Sequence, residues 1–218
     1  MRIGEPEIKE GRMTSHDNWP MPSFNAGDPK HLHAVGVIAV TFVQFERSVE
    51  SLFLHHPANS AVPSDLLDRY FFALSEDQRV AVTRKFYSER EPDPLVKTAA
   101  NDVLDFFDWA HDSRNKILHS ERYPMGFGGD PEIFYLIKRA SKRDASSRYM
   151  ALDLATLRST AEYMRRGIVR SAEINIHVRY RNSDPSKINQ SIRVYAKSND
   201  FPALAVPPRL EMTERPKY

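Results

Sequence analysis

Arg114, Asn115 and His119 stand close together in the run DFFDWAHDSRNKILHSERYP, residues 105–124. Their side chains suit acid–base chemistry on a phosphodiester. Histidine gains and loses a proton near neutral pH and can move protons in either direction. Arginine carries a permanent charge on a planar fork of donors that matches phosphate oxygens. Asparagine can orient a hydroxyl or the imidazole. Cleavage of RNA by internal transfer asks for these functions: a group that takes the ribose 2′-hydroxyl proton, a cation for the charge building on phosphate, and a proton for the leaving oxygen. No metal is required, and no cofactor is expected.

These residues must be positioned by a helix. At about 100° per residue, Val103, Phe107, Ala110 and Ile117 fall near one line, with Leu104, Phe106 and Leu118 beside it. Arg114 lies at the centre of that line. Asn115 and His119, one turn apart, share a neighbouring line, and Asp108 and Asp112 lie near the same edge. A guanidinium in an apolar stripe is costly to desolvate unless it is paired. A structural alternative therefore stands beside the chemical one: Arg114 paired with an acid such as Glu46 on a facing helix, and His119 resting at a helix end where the dipole favours it.

The rest of the chain reads as predominantly helical. Residues 1–28 mix Gly, Pro, Ser, Asn and charges without periodicity and are expected to form a flexible arm. From His31 to His56, Val35, Ile38, Phe42, Phe45, Val49, Leu52 and Phe53 recur at helical steps, and Pro57 ends the run. Val37, Val40 and Val43 make its first half apolar nearly all round, as in a central bundle helix. Pro63 and Ser64 open one shorter helix, and Ser75 is an N-cap candidate for another. After EPDP, a long helix runs from Leu95 to about Ser120, stopped by RYPMGFGGDP. EIFYLIKRA and SRYMALDL predict a hairpin at about 132–152 that must lean on the helices. Asp153 can cap a final helix whose stripe is Leu157, Ala161, Met164, Ile168, Ala172 and Ile176. Residues 182–218 are proline-containing and aperiodic, and predict a disordered tail or an extended strap that docks a protein partner.

RNKILH, Arg114 to His119 near the end of a long helix, resembles the R-x4-H motif of HEPN domains, in which a polar residue, often Asn, directly follows the arginine. The first helix, AVGVIAVTFVQFERSVESLF, also resembles the opening helix of bacterial HEPN proteins, where an apolar run leads into an acid at the place of Glu46. The resemblance covers roughly residues 31–180. It implies an all-α, HEPN-like bundle of four to five helices in domain 29–181, with the hairpin inserted before the last helix. It further implies a homodimer whose two motifs face each other across a cleft. Many HEPN proteins are metal-independent endoribonucleases that leave a 2′,3′-cyclic phosphate and a 5′-hydroxyl. Carried over, Arg114 would stabilise phosphate, His119 would act as acid or base, and Asn115 would position them, with Glu46, Asp112 and Ser120 in support. RNA is the implied partner, and a toxin–antitoxin or antiphage-defence role is one setting. The toxin group paired with nucleotidyltransferase antitoxins has a tyrosine two residues after the histidine. Here Glu121 occupies that place. The alternative within the same resemblance is a non-catalytic module that binds RNA or nucleotide, or that only dimerises.

Composition narrows the classes. Thirty-one Lys and Arg against 29 Asp and Glu give a formal charge of +2 in 218 residues, so affinity for a polyanion would need a local patch. Such patches are suggested by KRASKRDASSR and by Arg158, Arg165, Arg166 and Arg170. The absence of cysteine excludes disulfides and thiolate zinc sites. His31, His33, His55 and His56 bracket the first helix without acid partners at ligand spacing, so no metal site is expected. The N-terminus lacks the apolar core of a signal peptide, and AVGVIAVTFVQF alone is too short to span a bilayer. A cytoplasmic protein with no membrane partner is the expectation.

Overall fold

A computed structural model describes residues 28–122, 133–139, 146–196 and 200–214. Among them are six α-helices and a small sheet: α1 (Pro29–Leu54), α2 (Ser64–Phe72), α3 (Glu76–Arg90), α4 (Pro94–Leu118), β1 (Glu121–Arg122), β2 (Ile133–Arg139), β3 (Ser147–Asp153), α5 (Leu154–Tyr180) and α6 (Gln190–Ala196). The fold is mostly helical, as the periodicity predicts: five helices fall within 29–181, and α6 adds a short helix in the stretch 182–218, expected to be extended or disordered. The arm at 1–27, the loop at 123–132 and the basic loop at 140–145 lie outside the described residues.

Local chemistry sets the helix starts. Asp28 accepts from the Lys30 amide at 2.7 Å ahead of Pro29, and Asp93 accepts from the Leu95 amide at 2.9 Å ahead of Pro94. Ser75 and Gln78 form a reciprocal capping box on α3. Asp153 caps α5 by accepting from the Thr156 amide at 2.6 Å. Its carboxyl is held below its usual range by those Thr156 hydrogen bonds.

The long helices α1, α4 and α5 enclose the core. Ile38, Phe42, Phe45 and Leu52 of α1, Val103, Leu104, Phe106, Phe107 and Trp109 of α4, and Leu157 and Met164 of α5 are all buried. The stripe on α5 departs from the expected one. It runs through Leu157, Ala161, Met164, Gly167, Ser171, Ile174 and Val178, while Ala172 is exposed. The Phe45 ring takes the space beside Gly167, where a Cβ would lie 2.7 Å from its Cε atoms. Ile168 is half-buried against the core, and the deeper Gly167 position leaves room for the Phe45 ring.

The described strands pair in the order β1-β2-β3, all antiparallel, with Phe134 opposite Leu152 and Leu136 opposite Met150. These four side chains are buried and join the core, which gives the hairpin the support it needs. β1 adds a short third strand to the expected hairpin.

Two further differences concern surfaces. Val37, Val40 and Val43 are 38, 61 and 52 % exposed, so α1 is not encircled. With an 18-residue stretch of mean hydropathy 1.2, α1 is long and apolar enough to cross a membrane by length and composition, as the core helix of a soluble protein can also be. In the tail, residues 200–212 run extended along the molecule's own bundle. Trp109 Nε1 donates to the Pro208 carbonyl at 3.1 Å, Lys116 Nζ to the Leu210 carbonyl at 2.8 Å and Arg170 to the Pro202 carbonyl at 2.7 Å. Thr213 and Tyr149 exchange backbone hydrogen bonds at 2.7 Å, tying the strap to β3.

A buried ionic clamp joins the ends of α1, α3 and α5. Glu91, fully enclosed, accepts from His56 Nε2 at 2.9 Å and from Arg181 through both terminal nitrogens. His56 Nδ1 accepts from the Ala58 amide, so the proton sits on Nε2 and the imidazole is neutral in this arrangement. Burial alone would raise the Glu91 carboxyl. The bonds from His56, Arg181 and the Asp93 amide outweigh it and hold the group at about 2.

Candidate functional site

α4 carries Arg114, Asn115 and His119 on its last turns. His119 is the C-cap residue, its amide donating to the Asn115 carbonyl at 3.2 Å, and its side chain is exposed. The carbonyl-rich helix end favours positive charge there.

The three motif side chains do meet. Arg114 Nη1 lies 2.7 Å from Asn115 Oδ1 and 3.3 Å from His119 Nε2. A guanidinium has only donors, so in this arrangement His119 Nε2 presents its lone pair and the imidazole stands in its basic form. The Arg114 Cζ sits 5.1 Å from the centre of the Phe42 ring on α1. A cation over an aromatic face recovers some of the solvation lost on burial, by about 0.5–2 kcal/mol. This explains how a charge is tolerated on a stripe that is otherwise apolar.

The structural alternative for Arg114 fails. Among the described residues, no carboxylate lies within ion-pairing distance of Arg114. Glu46 instead faces Arg79, at 3.5 Å, and Arg79 also bonds Glu50. Asp112 pairs with Lys116 at 2.7 Å, Ser120 Oγ donates to the Lys116 carbonyl, and Asp108 faces Arg84 at 3.5 Å. Of the three supporting residues, then, none contacts the motif directly. Glu46 acts on it only at one remove, through its field on Glu76.

Two residues that the sequence reading passed over belong to the cluster. Asn115 Nδ2 donates to His111 Nε2 at 2.9 Å, and the same nitrogen lies 3.5 Å from Glu76 Oε1 on the first turn of α3. The spacing of His111 to Asn115 repeats that of Asn115 to His119, and this was the available signal. Burial pushes the Glu76 carboxyl above its ordinary range. His111 opposes that rise, Glu46 adds to it, and Arg114 and Arg79 oppose it.

Three of the four arginines singled out on α5 have partners of their own, and residues 140–145 of KRASKRDASSR lie outside the described residues. Arg170 pairs with Glu173 at 2.9 Å and Arg165 with Glu162 at 3.9 Å, while Arg166 lies over the Tyr163 ring. His31 is buried and stacked on Phe134. No group of three or more potential metal ligands occurs among the described residues.

His119 stays exposed, although Lys116, one of the strap's anchors, lies one turn before it on α4. The chain matches no family model, no curated protein and no solved structure.

Proposed function

We propose that this protein is a metal-independent endoribonuclease of the HEPN type. The observation that carries the reading is a half-buried arginine with no carboxylate partner among the described residues, its Nη1 3.3 Å from the accepting nitrogen of an exposed histidine. Arg114 has a charge to offer an anion, and His119 has a lone pair to offer a proton. With RNA in place, a phosphate oxygen would take the Arg114 hydrogen bond now spent on His119, and the freed Nε2 would accept the ribose 2′-hydroxyl proton. The 2′-oxygen then bonds to phosphorus, the bond from phosphorus to the 5′-oxygen breaks, and the leaving oxygen takes a proton from the imidazolium. The products are a 2′,3′-cyclic phosphate and a 5′-hydroxyl. A homodimer that sets two such sites across one cleft fits this chemistry, since each copy could supply one proton carrier. Exposed Val37, Val40 and Val43 on α1 and Leu66 and Tyr70 on α2 offer apolar surface for a second copy.

Labelled RNA incubated with the full chain in EDTA tests the reading. Cleavage should persist under chelation and fall about 10²- to 10⁴-fold in His119→Ala with folding intact. RNA binding without cleavage would instead favour a non-catalytic binding module, in which Arg114 serves only as a phosphate contact.

A further inference from the structure

His111 Nε2 faces a donor and an acceptor at once. The guanidinium of Arg114 fixes the Asn115 amide, because only Oδ1 can accept from it. The amide nitrogen must then point to His111, at 2.9 Å, and it too only donates. His111 Nε2 must therefore be bare for this arrangement to hold. Yet the same nitrogen lies 3.5 Å from Glu76 Oε1, a buried oxygen with no hydrogen-bond partner. A proton on Nε2 would serve Glu76 and turn the contact with Asn115 into one between two donors. Flipping the amide would not help, since Nδ2 would then meet Arg114.

We propose that His111 is a positioning residue: its unprotonated Nε2 holds Asn115, and through it Arg114, toward His119, and Glu76 draws the imidazole out of that role when it takes up a proton. The role in catalysis rests on the ribonuclease reading above, whereas the coupling of His111 to Arg114 does not. The groups around His111 favour such a two-state device. Phe42 on α1 packs against the imidazole at 6.1 Å and leaves it to neighbours on α3 and α4. Glu76 approaches from α3, with Glu46 of α1 and Arg79 of α3 acting on Glu76 in turn. On α4 itself, Asp108 lies one turn before His111 and within its field. A half-buried carboxylate whose burial disfavours its charge gains from an imidazolium beside it.

The test follows the side-chain nitrogen signals of Asn115 and Arg114 by NMR across the pH range where imidazoles titrate. Wild type is compared with His111→Gln and Glu76→Gln. In wild type both signals should move together with the titration of His111. Glutamine can accept from Asn115 and donate to Glu76 without ever charging, so in His111→Gln the pH-dependent movement should vanish. Cleavage at neutral pH should survive in that variant, in contrast to the roughly 10²- to 10⁴-fold loss expected on removing a proton-transfer residue. In Glu76→Gln the coupled movement should shift to lower pH, which also covers the case of a poorly folded His111 variant. Asn115 and Arg114 signals that ignore the titration of His111 in wild type would overturn the proposal. So would a His111→Gln protein that folds but is as inactive as His119→Ala. If wild type does not cleave RNA, the ribonuclease reading fails, and the titration still decides the coupling.

Discussion

Replacing Glu91 by glutamine should destabilise the fold by about 3 kcal/mol at neutral pH, the lower end of the range for breaking a buried ion pair. Glu91 is enclosed, but its partner Arg181 is 20 % exposed and can recover some hydration once the carboxylate is gone. Glutamine keeps one acceptor where the carboxylate serves His56, Arg181 and the Asp93 amide, so at least one donor is left facing an NH₂. For a chain of 218 residues this corresponds to a fall of roughly 6–12 °C in Tm. The pH dependence sharpens the expectation. A carboxylate lowered from 4.5 to about 2 stabilises fully above 4.5 and loses that contribution as pH falls toward 2. The gap between wild type and Glu91→Gln should therefore be widest near neutrality and close between pH 4.5 and 2. Thermal unfolding by circular dichroism across that range is the assay. A gap under about 1 kcal/mol at pH 7, or one that does not change with pH, would refute the clamp.

Gly167→Ala should destabilise by about 1–3 kcal/mol despite alanine's better helix propensity, because the new Cβ meets the enclosed Phe45 ring. Pairing it with Phe45→Leu in urea unfolding should restore part of the loss, and additive effects would contradict the steric account. Lys116→Met removes the bond to the Leu210 carbonyl and the ion pair to Asp112, a local loss of about 1 kcal/mol or roughly fivefold in strap opening. Limited proteolysis of residues 200–214 should quicken accordingly, and a rate equal to wild type would contradict the tether.

Much of the helical frame could be read from residues whose effect is local. Ser75 and Asp153, read as caps from the sequence, act on amides three positions away; Asp28, placed in the arm, and Asp93 act just as locally and went unread. The apolar steps of α1 from Ile38 to Leu52 likewise named the face that packs. What escaped depends on partners distant in the chain. On α5 Gly167 lies deeper than Ile168 because Phe45, far away in sequence, needs the room, and Ala172 is exposed. Val37, Val40 and Val43 suggested an encircled helix, since apolarity alone does not say how many neighbours arrive. The strap was legible only as aperiodic, because its bonds run from backbone carbonyls whose partners, Trp109, Lys116 and Arg170, lie in other elements. Within the site, Arg114, Asn115 and His119 could be grouped by helical spacing. Glu46 was matched to Arg114 on sign of charge, whereas the geometry gives it to Arg79. Glu76 could not be seen at all, since only the packing of α3 on α4 brings it to His111.

The most direct measurement is cleavage of a labelled RNA by the full chain in excess EDTA, with Arg114→Ala and His119→Ala as controls and product ends identified. The account predicts 2′,3′-cyclic phosphate ends in wild type and their loss in both folded variants. Equal turnover in wild type and variants, or turnover abolished by chelation, would contradict it.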